Sequence, residues 1–260
     1  MKLFVTSDLH SYLEPFVKAL DAAGFDKTNE EHWLIVCGDA FDRGPDSKKL
    51  LHFLMSLERK ILIKGNHDIL LEDLCARGFP YRHDKSNGTV RTVEDIGYIY
   101  SGISFEECCT KTWNKTAAYR DLLVNYFETE HYIFVHSWIP TKTDYDYENP
   151  LPWHQFGKKH FYFEDWRNAT ESMWEEAMWG NPFKMAMSDL NKTGKTIVFG
   201  HWHCSAGYTL NDTDATGSEF GDNAIWEPYR NTEQGIIGID RCTAHTGEVN
   251  VLVLEDDFID

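Results

Sequence analysis

The sequence predicts an α/β fold built on a parallel sheet. Two observations carry this: strand, polar turn and helix recur three times early in the chain, and later apolar runs also stop in polar, histidine-bearing turns. The first strand, about residues 2–6, holds Leu3-Phe4-Val5 and leads into Ser7-Asp8-Leu9-His10. A helix from about Glu14 to Ala23 follows, with apolar residues at helical spacing. Trp33-Leu34-Ile35-Val36-Cys37 is continuously apolar, as expected of a strand buried on both faces. It ends in Gly38-Asp39-Ala40-Phe41-Asp42-Arg43-Gly44-Pro45, ahead of a helix over about Ser47–Glu58. Ile61-Leu62-Ile63 then runs into Lys64-Gly65-Asn66-His67-Asp68 and a helix over Ile69–Cys75.

From about Gly78 to Tyr100 the pattern is irregular, and a helical stretch with Ala117-Ala118-Tyr119 and Leu122-Leu123 extends toward Phe127. A fourth strand, Tyr132-Ile133-Phe134-Val135, ends at His136-Ser137-Trp138. Between Ile139 and Lys192 lie Trp153, Trp166, Trp174 and Trp179 among many acids, with no clear strand, which reads as a helical, aromatic insertion over the strand ends. Core packing accounts for most of those tryptophans, leaving one or two to line a cleft. Thr196-Ile197-Val198-Phe199 delivers Gly200-His201-Trp202-His203, before a loop rich in Asp, Thr and Gly. Gly235–Asp240 and Val249–Leu254 read as a hairpin around Thr246-Gly247, and Glu255-Asp256-Asp257 as a solvated tail. Without repeats or linkers, residues 1–260 are expected to form one domain with an insertion at about 139–192.

Composition narrows the function. The 260 residues are 42% hydrophobic and carry a formal charge of −17, which repels polyanions and argues against nucleic acid as a partner. No apolar stretch is long enough to span a membrane and no signal region opens the chain, so a cytoplasmic protein is expected. Cys37, Cys75, Cys108, Cys109, Cys204 and Cys242 are scattered without a CxxC pair, as suits reduced, mostly buried thiols. Gly194-Lys195-Thr196 lacks the earlier glycine of a phosphate-binding loop and precedes a strand, so it reads as a turn.

Five strand ends stop in groups suited to a metal: Asp8 with His10, Asp39 with Asp42, Asn66 with His67, His136, and His201 with His203. Carboxylate and imidazole together suit divalent manganese, iron or zinc. Any one of them alone would be an acidic loop or a structural histidine, but five in succession share one placement. Open α/β sheets put their chemistry at this end of the strands.

Asp-x-His, Gly-Asp-x-x-Asp-Arg-Gly, Gly-Asn-His-Asp, a lone strand-end His and Gly-His-x-His resemble, in order, the motifs of the calcineurin-like metallophosphoesterase superfamily. Gly38-Asp39-Ala40-Phe41-Asp42-Arg43-Gly44 is most similar to the phosphoprotein phosphatase branch, which includes serine/threonine phosphatases and symmetrical diadenosine tetraphosphate hydrolases. The resemblance implies a central β-sandwich flanked by helices, four layers in all, with two divalent cations where the strand ends meet. Manganese is the first expectation, with iron or zinc as alternatives. It further implies that Asp8, His10 and His203 hold one ion, Asn66, His136 and His201 the other, and that Asp39 bridges them at roughly 3.5–4 Å. Water activated by the pair would attack phosphorus in line, His67 would protonate the leaving oxygen with Asp42 orienting it, and Arg43 would hold phosphate oxygens beside Asn66.

The chain departs from that branch at Ser7, Ser11 and Asp68, and His203 is more typical of the wider superfamily. A second phosphate-gripping arginine falls at Asn181 here, so Asn181 or Arg167 is the candidate replacement. The expected activity is that of a phosphomonoesterase of serine/threonine phosphatase type acting on a phosphoprotein or a small phosphoester. A dinucleoside polyphosphate hydrolase or phosphodiesterase, with Trp138 or Trp202 stacking a base, is the alternative. A metal-binding scaffold without catalysis is the non-enzymatic one.

Overall fold

Alternation of apolar side chains along the strands sets the layering. The computed structural model describes residues 1–98, 102–150, 156–210, 223–228 and 235–258. The strand–turn–helix unit occurs three times, as β1 (Lys2–Thr6), α1 (Leu13–Ala23), β2 (His32–Cys37), α2 (Ser47–Ser56), β3 (Lys60–Ile63) and α3 (Asn66–Arg77). Four helices follow: α4 (Arg82–Asn87), α5 (Thr89–Gly97), α6 (Phe105–Lys115) and α7 (Ala117–Arg120). Next come β4 (Leu123–Val124), β5 (Tyr126–Glu128), β6 (Tyr132–Val135), β7 (Thr141–Pro150), β8 (Phe156–Tyr162), α8 (Glu171–Met178) and α9 (Pro182–Met187). The chain closes with β9 (Thr196–Phe199), α10 (Cys204–Leu210), β10 (Ile236–Gly238), α11 (Thr243–Thr246) and β11 (Leu252–Glu255).

Two sheets form the centre. One has the order β11-β1-β2-β3-β4, the other β10-β9-β6-β5. In the first, β1 to β4 are parallel and β11 is antiparallel; in the second, β6, β9 and β10 are parallel and β5 is antiparallel. Successive strand residues point to opposite faces. Leu3, Val5, Ile35, Cys37 and Ile63 of one sheet therefore meet Phe134, Val198 and Ile237 of the other in a shared core. Their neighbours Phe4, Leu34, Val36 and Leu62 face outward onto Phe16, Leu50, Leu54 and Leu74 of α1 to α3. On the far side Ile133, Val135, Ile197 and Phe199 pack on Trp166, Trp174, Met178 and Phe183. Sheets packed on each other, with helices outside both, are the four layers expected. Each buried aliphatic or aromatic side chain contributes about 1.5–3 kcal/mol of transfer free energy to holding them.

Several elements differ from expectation. The stretch read as irregular holds α4 and α5, whose buried face carries Thr89, Thr92, Val93 and Ile96. Helical spacing is present there, but its inward positions include two threonines, so apolar periodicity misses it; Tyr100 lies outside the described residues. The helix expected toward Phe127 stops at Arg120, and Leu123 and Val124 pair with Leu62 and Ile63 instead. The region expected to lack strands contains the antiparallel hairpin of β7 and β8. Its alternation of Thr and Tyr with charged residues over 141–147 is a strand pattern without apolar residues. Trp166 and Trp174 are core, and Trp179 is exposed. Trp153 and the Asp/Thr/Gly-rich loop at 211–222 lie outside the described residues.

The terminal hairpin does not form. β10 joins β9 in parallel and β11 joins β1 antiparallel, so the two strands enter different sheets, and Thr246-Gly247 closes α11. The tail is not simply solvated either, because Asp256 is buried. Its carboxylate accepts from Thr129 Oγ1 at 2.6 Å, the His131 backbone N–H at 2.9 Å and His131 Nδ1 at 2.7 Å, tying β11 to the β5–β6 turn. Glu130, His131 and Asp256 form a three-donor group, but these bonds already occupy the carboxylate. All six cysteines are free thiols, five of them buried, as expected.

The tie between His131 and Asp256 has a pH window. The hydrogen bond and charge of Asp256 raise the His131 pKa, so its contribution is complete below the unfolded imidazole value of about 6.5 and is lost as pH rises through the folded value. Burial raises the Asp256 pKa, but hydrogen bonds from His131 and Thr129 outweigh it and leave the carboxyl lowered, so that side fails only in acid. The loss of Tm on His131→Ala should therefore be larger at pH 6 than at pH 9 by thermal melts; an equal loss at both would refute the charged tie.

Candidate metal centre

The strands β1, β2 and β3 of one sheet, and β6 and β9 of the other, run parallel, which brings their carboxyl ends to one edge of each sheet. Asp8 follows β1, Asp39 follows β2, Asn66 and His67 open α3 after β3, His136 follows β6, and His201 follows β9. The chain turns sharply at these points. Seven of the ten non-glycine residues with positive φ among the described residues are Asp8, His10, Ser11, Asp39, Asp42, Arg43 and His201. Left-handed backbone costs of order 1–3 kcal/mol per residue and gathers where function needs it.

Close approach explains two glycines. Gly38 has φ of 82°, and a Cβ there would lie 2.3 Å from His136 Nδ1. At Gly65 a Cβ would fall 2.2 Å from Asp39 Oδ1. Neither position has room for a side chain, so both glycines let the β2 and β3 turns close on the ligand groups.

Donor atoms converge in two groups that share Asp39. His10, Asp39 and His67 form one; Asp39, His136 and His201 form the other, with all ligand atoms of each group within 4.8 Å of one another. Their tautomers follow from contacts with carbonyls, which can only accept. His10 Nδ1 donates to Phe41 O at 3.0 Å, and His136 Nδ1 donates to Cys37 O at 2.9 Å. Both rings therefore turn an Nε2 lone pair inward, the backbone-anchored arrangement that metal-binding histidines use. His136 Nε2 lies 2.8 Å from Asn66 Oδ1 and 3.4 Å from Asp39 Oδ1, so three acceptors face one another. Asp8 Oδ1 is 3.9 Å from His10 Nε2. Acceptors packed this closely fit divalent cations between them.

Electrostatics agree. Burial, and then the neighbouring Asp39 carboxylate, push Asp8 up to about 7. Burial alone would raise Asp39 as well, but the imidazoles of His136, His67, His10 and His201 hold it below the usual carboxylate range. Burial, and then His136, lower His201 to about 3, and burial holds His10 well below its ordinary value. Neutral imidazoles and crowded carboxylates are the forms that bind a cation.

Beside these groups, His67 Nδ1 bonds Asp42 Oδ2 at 2.7 Å. Asp42 also accepts from Thr89 Oγ1 and Thr92 Oγ1, each at 2.7 Å. Arg43 Nη2 reaches His67 Nε2 at 3.2 Å. The sequence reading missed Thr89 and Thr92 because it missed α5. Asp68, a departure noted in the sequence, accepts from the Gly65 N–H at 2.9 Å and from Tyr119 Oη at 3.0 Å, which fixes the start of α3. Ser11 Oγ shares a buried hydrogen bond of 2.8 Å with Ser47 Oγ.

The sequence matches the pattern of the calcineurin-like phosphoesterases over residues 1–227. The chain belongs to the calcineurin-like phosphoesterase family. It is 38% identical over 80 residues to a symmetrical bis(5'-nucleosyl)-tetraphosphatase of Nitrosospira multiformis, covering 29% of this chain and 28% of that one. To the enzyme of that name from Nitrosomonas europaea it is 34% identical over 108 residues, covering 41% and 40%. The matches thus span less than half the length of these curated relatives. A serine/threonine phosphatase from Saccharomyces cerevisiae superposes with a TM-score of 0.51 at 12% identity, covering all of this chain and 81% of that one. A chain assigned as a diadenosine tetraphosphatase gives 0.50 at 16% identity, covering 97% and 89%. Such identities establish a shared fold.

Three of the expected site residues make other contacts in this chain. His203 joins neither three-donor group; it sits just before α10 and interacts electrostatically with Asp240, a buried acid that burial, and then Asp8, push up to about 7. Nothing in the sequence marked Asp240, since no histidine or second acid adjoins it. Arg167 does not replace the missing arginine: its Nε and Nη2 bond both oxygens of Glu128 at 2.8 and 2.7 Å, and its guanidinium stacks on Trp166. Asn181 caps α9 by accepting from the Lys184 N–H at 3.1 Å. Trp138 is buried against Phe199 and exposes no face for stacking, whereas Trp202 is exposed. Among the described residues no helix is long and apolar enough to cross a membrane.

Ligands that bind only the folded state stabilise it by mass action, about 2.7 kcal/mol at a hundredfold excess over Kd. Manganese added to chelated protein should raise Tm by roughly 5–10 °C, and Asp39→Asn should abolish most of that shift. An equal shift in both proteins by differential scanning fluorimetry would place the ions away from Asp39.

Proposed function

We propose that this chain is a two-metal phosphoric ester hydrolase. Asp39 shared between two histidine-bearing groups, with the His67–Asp42 pair beside it, carries the reading. In it Asp8, His10 and His203 would hold one divalent ion and Asn66, His136 and His201 the other, with Asp39 shared between the two sets. Such a pair supplies a nucleophile from water at neutral pH and polarises the phosphoryl group. The protein's own groups do the rest. Arg43 grips phosphate oxygens as charge redistributes on them, a role its planar fork suits. In the resting arrangement its guanidinium donates to His67 Nε2. A phosphate that draws Arg43 away frees Nε2 to hold the proton that His67 delivers to the leaving oxygen. Asp42, fixed by Thr89 and Thr92, keeps the ring aimed. Burial depresses the His67 pKa, but Asp39 and Asp42 more than offset it and leave it raised, as suits an acid near neutral pH.

Two substrate classes fit this chemistry. A phosphomonoester of serine/threonine phosphatase type is supported by the shared fold, and a symmetrical dinucleoside polyphosphate by the names of the curated relatives. The carboxylate and imidazole donor set suits manganese, iron and zinc alike.

Hydrolysis of para-nitrophenyl phosphate with added manganese tests the reading. Asp39→Asn should abolish it. His67→Asn should lower kcat by about 10²–10⁴ for an alkyl phosphate and much less for para-nitrophenyl phosphate, whose leaving group needs little proton assistance. Equal activity of native and Asp39→Asn proteins would refute the proposal, and equal losses on the two substrates would remove His67 from the acid role.

A further inference from the structure

Beyond the five strand ends already described, a sixth carries an acid. Asp8, Asp39 and His201 each stand two residues past the end of their strand, β1, β2 and β9, and Asp240 stands two residues past β10. β10 runs parallel to β9, with Gly238 opposite Phe199. The pairing continues beyond both strands, because the Ile239 N–H donates to Phe199 O at 2.9 Å. Asp240 therefore reaches the sheet edge beside His201, on the flank away from His136. Its carbonyl accepts the Cys204 N–H at 3.0 Å, which pins the residue directly after His203. Asp240 is 5% exposed, and the charges that act on it are those of Asp8, His203 and Arg43.

A turn cap is the plain use of such a residue. Oδ1 accepts the Cys242 N–H at 2.7 Å, across a turn that leaves Cys242 at a φ of 59°. Asparagine makes the same bond without a charge. A carboxylate buried beside a second one, Asp8, is costly where a neutral amide would serve. Capping thus accounts for the oxygen and not for the charge. A histidine that ligates through one ring nitrogen commonly turns the other to a carboxylate or a backbone carbonyl, which fixes the ring and strengthens the donor. His10 and His136 have the Phe41 and Cys37 carbonyls in that place. Asp240 is the acid placed to serve His203.

We propose that Asp240 is a positioning residue of the metal centre: its carboxylate orients the His203 ring so that the ring, with Asp8 and His10, holds one divalent ion. This rests on the two-metal reading. It also gives His203, which joins neither three-donor group, a route into the centre.

Metal uptake tests this without turnover. Manganese is titrated into chelated protein, the free ion is followed by electron paramagnetic resonance, and the spin-coupled pair signal is read at saturation. The native chain should take up two ions. Asp240→Asn, which retains an acceptor for the Cys242 N–H, should bind one ion as before and the other about 10–100-fold more weakly, with unchanged circular dichroism. His203→Ala should lose a similar amount, and the double variant no more than His203→Ala alone, because Asp240 acts through that ring. Native uptake in Asp240→Asn, or losses that add in the double variant, would overturn the assignment. So would a manganese-bound crystal of the native chain with Asp240 beyond hydrogen-bond reach of the His203 ring, a result that needs no variant to fold. A native chain that takes up a single ion would sink the two-metal reading and this role with it. Two coupled ions with this dependence on Asp240, in a chain that hydrolyses no phosphoester, would instead sink the hydrolase reading and leave Asp240 in its role.

Discussion

One buried carboxylate, Asp39, faces the imidazoles of His136, His67, His10 and His201 and accepts the His67 backbone N–H at 3.0 Å. Much else in the molecule is arranged to keep that convergence. The His136 ring reaches across from one sheet to the Cys37 carbonyl of the other, and the His201 N–H reaches back to Asp8 at 2.9 Å. Polar groups at the strand ends thus stitch the two sheets together where the sandwich opens. Such a cluster is costly in isolation, because buried acceptors repel each other. It persists because the apolar core between the sheets fixes both sets of strand ends, and because a pair of cations would turn the repulsion into ligation.

Strain and rigidity belong together here. Six of the residues read as functional hold left-handed backbone, a conformation that local preferences oppose. The parallel strands behind them, buried on both faces by Leu3, Phe4, Val5, Ile35 and Cys37, supply the restraint. Catalytic groups held by strand ends are more precise than groups on free loops. The Asp42 carboxylate illustrates the cost of that precision, since it takes two threonine hydroxyls from α5 to hold the partner of one histidine.

Much of this was legible in the sequence, for a physical reason. Strands buried on both faces must be continuously apolar, so Trp33–Cys37 or Tyr132–Val135 announce themselves, and the polar residue that ends each run marks the sheet edge. The motif order from Asp8 to His201 therefore gave both the layering and the clustered groups. What stayed hidden lacked an apolar signal. Helix α5 buries threonines because their hydroxyls serve Asp42, and the hairpin of β7 and β8 is written in Thr, Tyr and charge. Asp256 sits in a run of acids that resembles a solvated tail, yet its partners Thr129 and His131 lie more than a hundred residues away in sequence. Arg167 was a candidate only because it is the sole arginine between His136 and His201; Glu128, from β5, claims it. Long-range polar pairing of this kind leaves no periodicity to read.

The central claim is that Asp39 joins two cations. Anomalous diffraction at the manganese edge, from crystals of the native chain grown with manganese, tests it most directly. Two peaks roughly 3.5–4 Å apart, one on each side of the Asp39 carboxylate, are the expected result. A single peak, or peaks that leave Asp39 uncoordinated, would contradict it.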